Sequence, residues 1–144
     1  MTLNQRDQAA LFRAALLLGL VRGDVVVKWA DEAIATGASP SAGFVEIATT
    51  PPDDLTLLRL RLLALCDDNP SADVLSALLG LVHRDLASGR RGFADTMTVL
   101  KQLRGFLKVG AALNDQLKTL GVDVATKAPG AEQRVRDWLQ QHAR

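Results

Sequence analysis

At 144 residues and 15.5 kDa, the chain has the length of one domain and can bury roughly two-thirds of the surface its unfolded form exposes. Hydrophobic residues make up 48% of it, which excludes wholesale disorder, and aromatics reach only 4% with no Tyr, too few for platforms that stack bases or sugars. A net charge of +1 excludes a uniformly basic nucleic-acid coat and a uniformly acidic mimic of one.

Gly and Pro punctuate the chain at intervals that suit helices, and no long stretch alternates with period two. A first helix is expected over residues 5–21, with Asn4 as N-cap and an apolar surface (Leu11, Phe12, Ala15, Leu16, Leu18, Leu20) facing nearly every direction. Its apolar core is too short for a bilayer, which needs about 20 residues. Asp7 in the would-be basic region, and the absence of a small-x-small site after Val21, favour a buried helix over a secretion signal. Gly23 is expected to end this helix and Asp24 to cap a second over residues 25–35, with Val25, Val26, Trp29, Ala33 and Ile34 as its buried stripe. That position assigns Trp29 to core packing.

Ser39-Pro40 opens a short third helix over residues 41–48. Pro51-Pro52 stops it, and Asp53 and Asp54 sit near the positive end of a fourth helix carrying Leu55, Leu58, Leu62 and Leu65. Asn69-Pro70 starts a fifth, reaching about Ala87, and residues 88–92 read as a loop. A sixth helix over 93–107 buries Phe93, Met97, Leu100, Leu103 and Leu107; a seventh over 111–120 ends at Gly121. Residues 122–130 read as a loop and 131–142 as a last amphipathic helix with Val135, Trp138 and Leu139 inward. Valine-rich pieces at 25–27 and 122–124 are too short and isolated to build a sheet. The expected fold is all-α: a single-domain bundle of seven to eight helices over residues 1–144. Residues 17–24 and 78–85 are identical at six of eight positions, which fits either chance among Leu-rich helices or two related helical layers.

Catalytic and cofactor signatures are sparse. His83 and His142 are the only histidines, and the one cysteine, Cys66, has no CxxC or CxH partner, so no metal site and no cofactor are expected. A single cysteine forms no internal disulfide and suits a reducing, cytoplasmic setting. No Gly-x4-Gly-Lys-Ser/Thr, GxGxxG or GxSxG run is present. The carboxylate pairs Asp31/Glu32, Asp53/Asp54 and Asp67/Asp68 are adjacent in sequence. Neighbours on a helix diverge by about 100° and do not converge on one reacting atom. A non-enzymatic protein is expected.

Charge distribution carries the functional reading. Residues 1–82 hold 6 Lys/Arg and 10 Asp/Glu, a net −4, and residues 83–144 hold 11 and 6, a net +5. Near-neutrality is a cancellation between an acidic front and a basic back. In the back half Lys101, Arg104 and Lys108 follow helical spacing, with Arg91 in the preceding loop; this basic strip suits docking of an acidic partner. The acidic counterpart, Asp31, Glu32, Asp53 and Asp54, suits a basic partner. Each set also reads simply as a solvated helix face. Without interleaved aromatics, the strip is weaker as a nucleic-acid surface, which stays the alternative reading.

The run Leu17-Leu18-Gly19-Leu20-Val21, then Val25-Val26 and Trp29-Ala30-Asp31, is followed by Val45-Glu46-Ile47, Asp54-Leu55 and Val74-Leu75-Ser76-Ala77-Leu78-Leu79-Gly80-Leu81. This order resembles a group of small, uncharacterised bacterial helical proteins over residues 11–104. The resemblance implies an immunity or adaptor role beside a toxin. The expected mechanism is a helical face that covers the target's active surface through charge complementarity and a few apolar anchors.

Overall fold

The computed structural model describes residues 4–36, 42–66, 72–106 and 110–142. Among them it is all-α, with eight helices: α1 (Gln5–Leu17), α2 (Gly23–Ala35), α3 (Ala42–Ala48), α4 (Leu55–Leu63), α5 (Ala72–Ala87), α6 (Phe93–Phe106), α7 (Ala111–Ala125) and α8 (Ala131–His142). The chain divides into two compact units, residues 1–74 and 75–144.

In the first unit, Asn4 caps α1 by accepting a hydrogen bond from the Asp7 backbone N–H at 2.8 Å, and Asp54 caps α4 through the N–H of Leu57 at 3.1 Å. Its core joins Ala9 and Leu16 of α1, Val26 and Ala30 of α2, Phe44 and Ile47 of α3, and Leu58 and Leu62 of α4. Full burial of a leucine or isoleucine of this kind contributes roughly 1.5–3 kcal/mol. Trp29 packs between Phe12 and Phe44, its ring 5.1 and 5.2 Å from theirs, and its indole N–H donates to Gln8 Oε1 at 2.9 Å. The last turn of α3 is held by Arg61, whose guanidinium donates to the Glu46 carbonyl at 2.6 Å and to the Thr50 hydroxyl.

The first helix stops at Leu17, four residues short of the expected end, because Gly19 adopts φ 72°. The Gly19 N–H returns to the Leu16 carbonyl and the Leu20 N–H to that of Ala15, closing the chain reversal that left-handed glycine permits. Gly23 is therefore no terminator. It is the buried first residue of α2, and a Cβ there would lie 1.8 Å from the Pro52 carbonyl oxygen. Arg22 occupies the N-cap without a side-chain bond, so Asp24 lies within the first turn and does not cap. Val25 is 44% exposed, leaving Val26 and Ala30 as the inward face. Leu55, placed inward by its spacing, is 41% exposed.

In the second unit, α5 buries Leu78, Leu79, Val82 and Leu86. Its C-terminus repeats the reversal seen after α1: Gly89 has φ 76° and its N–H returns to the Leu86 carbonyl. Beneath this turn the carboxylate of Asp85, 2% exposed, faces Arg84, Arg90 and Arg91 at 3.4, 3.9 and 4.0 Å. The inward face of α6 is Thr96, Val99, Leu100 and Leu103, with Phe93 and Met97 half-buried at its margin. The seventh helix runs past Gly121 to Ala125 and takes up half of the segment expected as loop. It ends on a reversal at Lys127, φ 56°, with the Ala128 N–H bonded to the Asp123 carbonyl. Val135, Trp138 and Leu139 of α8 are buried as expected, and the Trp138 N–H donates to Gln116 Oε1 at 2.7 Å.

The two similar octapeptides occupy different structures. Residues 17–24 run from the end of α1 through a turn into α2, whereas 78–85 lie wholly within α5. The structural correspondence falls instead at a spacing of 70 residues, where helix, left-handed glycine and helix recur at Gly19 and Gly89. The Ser39-Pro40 and Asn69-Pro70 helix starts, the Asp67/Asp68 pair and Leu107 lie outside the described residues.

Candidate functional site

The acidic candidates do not form one patch. Asp31 and Glu32 are exposed near the C-terminal end of α2. Asp53 and Asp54 follow Pro52, whose carbonyl abuts Gly23 at the opposite end of that helix. The helical rise from residue 23 to 31 separates the two pairs by about 12 Å. Asp54 is also engaged as the cap of α4.

Of the basic strip, Lys101 and Arg104 stand on α6 at i and i+3, Lys101 exposed and Arg104 half-buried. Arg91 lies before the N-terminus of α6 with its Nε 4.0 Å from Asp85, about 15 Å of helix from Lys101. Lys108 lies outside the described residues.

The structure brings Lys101 and Arg104 together with a residue that sequence spacing did not associate with them. A groove of about 550 Å³ separates α6 from α7, lined by Met97, Leu100 and Leu117 and by Gly121, Val122 and Val124. Lys101, Arg104 and Lys118 also line it, and no carboxylate does. Lys118 is 14 positions beyond Arg104 in the chain, on another helix. It lies within the helix expected over residues 111–120, and the stripe Leu113, Leu117, Leu120 and Val124, followed through Gly121, is the one sequence signal for the face of that helix that turns inward beside it.

Arg104 fixes the relation of the two helices, since its Nε–H donates to Asn114 Oδ1 at 3.0 Å. From that point the helices run antiparallel along the shared groove, so residue 101 comes level with 117–118 and Met97 with Gly121 and Val124. The charges therefore collect toward one end of the groove and the apolar side chains toward the other. Within it, Gly121 has nothing within 4 Å of where a Cβ would sit. Mid-helix glycine costs about 1 kcal/mol against alanine, and here no close packing demands it.

Elsewhere, Cys66 is half-buried, with its Sγ 3.8 Å from the Leu63 carbonyl. Among the described residues no three His, Cys, Asp or Glu side chains cluster at metal-binding distance, and no helix is long and apolar enough to cross a membrane. No family model, curated protein or solved structure matches the chain.

Proposed function

We propose that the protein is a non-enzymatic binding module that docks an acidic partner protein on the basic face of its second unit. The observation that carries this reading is the convergence of Lys101, Arg104 and Lys118 on one groove with no carboxylate in its lining. The boundary between the units sharpens it. Residues 75–82 hold no charged residue, so the −4 and +5 read from sequence belong to residues 1–74 and 75–144 respectively. Opposed charges of this kind steer encounter and select partners more than they add affinity. Half-buried apolar side chains beside the charges supply the anchors that hold a docked surface. Neutralisation of a toxin by covering its active surface is one form of such docking, the form implied by the sequence resemblance.

The test compares three immobilised baits: the natural chain, K101E/R104E and D31K/E32K. An acidic protein retained by the first and third, but lost from the second, supports the reading. Equal capture by all three, or loss only from D31K/E32K, overturns it. Salt-sensitive retention of duplex DNA in place of a protein transfers the site to nucleic acid.

A further inference from the structure

The groove between α6 and α7 has a polarity that a flat protein-docking face does not need. Lys101, Lys118 and Arg104 gather at one end, and Met97, Gly121 and Val124 form the other. A volume of about 550 Å³ falls within the range of small-molecule sites, and clefts between bundle helices are a common place for them. Along α7 the lining runs from Lys118 past Gly121 to Ala125, a helical rise of about 11 Å, the reach of an extended chain of roughly ten carbons.

We propose that this groove binds a medium-chain carboxylate, its head group between Lys101 and Lys118 and its alkyl chain running over Gly121. Charge complementarity selects the anion. Both lysines are exposed and neither makes an ion pair among the described residues, while Arg104 is oriented by Asn114. The empty space beside Gly121 selects the tail: the missing Cβ leaves room in the apolar end that no protein atom fills.

Isothermal titration of the full chain with octanoate, decanoate and decyltrimethylammonium, all below their micelle thresholds, tests the assignment. Each added methylene is expected to strengthen binding about fourfold, so decanoate exceeds octanoate by roughly fifteenfold. The cation of equal tail length is expected to bind at least about tenfold more weakly. Gly121→Leu fills the tail end with a better helix former and is expected to weaken decanoate by at least about tenfold while the helix content is retained. K101Q/K118Q, at two exposed positions, is expected to weaken decanoate while leaving decanol unchanged, and reads the head-group contact independently of the core. Amide shifts on decanoate addition should be confined to residues 97–104 and 117–125. Equal affinity for the cation, unaltered binding by K101Q/K118Q, shifts spread over the chain, or no decanoate binding up to about 1 mM overturns the proposal. Gly121→Leu leaves Lys101 and Arg104 in place, so loss of decanoate with retained partner capture separates this site from the docking reading.

Discussion

Lys127 holds φ 56°, a left-handed conformation that a residue with a Cβ adopts at a cost of about 1–2 kcal/mol. Because its N–H and that of Ala128 close the end of α7, Lys127→Gly is expected to stabilise the protein by about 1 kcal/mol, seen as a higher urea midpoint with unchanged slope. Gly23 is the opposite case. Its helical backbone tolerates any residue, but the Pro52 carbonyl leaves no space for a methyl group. Gly23→Ala should therefore cost at least about 3 kcal/mol, since backbone and not a flexible side chain must yield. Hydrogen exchange after that substitution should show the loss of protection concentrated in residues 4–66. At Asp85 the buried carboxylate faces three arginines. Asp85→Ala is expected to cost about 2 kcal/mol in denaturant unfolding, because the turn loses its anionic anchor.

At the scale of elements, the helix starts that rest on local chemistry were legible. Asn4 and Asp54 cap as their side chains predict, Pro51-Pro52 separates α3 from α4, and α8 has the expected limits. Boundaries set by tertiary structure were not. Gly23 looks like a stop signal in one dimension, yet it is a close-approach residue whose reason, Pro52, lies 29 positions away. Gly121 likewise suggests a terminus, but α7 continues because Leu117 and Leu120 are buried and Val124 follows on the same stripe. Misplacing that end hid the wall of the groove over residues 121–125. Lys118, though inside the expected helix, was not associated with Lys101 and Arg104 because the pairing of α6 with α7 is set by packing. Only Lys101 and Arg104, one turn apart on a single helix, were readable as a pair. Since no neighbour occupies the space beside Gly121, Gly121→Ala should stabilise α7 by about 0.5–1 kcal/mol, measured by thermal unfolding. A destabilised variant would mean that the glycine serves packing.

Over the whole molecule, opposite charge is sorted by unit, with −4 on residues 1–74 and +5 on 75–144. An acidic partner is attracted to one of these and repelled by the other, so orientation is selected before contact. Screening has a length of about 10 Å at 0.1 M salt and 3 Å at 1 M. Association rates with such a partner should therefore fall steeply across that range, with dissociation much less affected, as stopped-flow mixing would reveal. The two indole–glutamine bonds, Trp29 to Gln8 and Trp138 to Gln116, are also distributed one to each unit. With two Trp and no Tyr in the sequence, intrinsic ultraviolet emission comes from these two rings, each tethered in its own half. Trp29→Phe leaves a lamp in the second unit and Trp138→Phe one in the first. The chain thus carries native optical labels by which the opening of either half can be followed separately, without an attached dye.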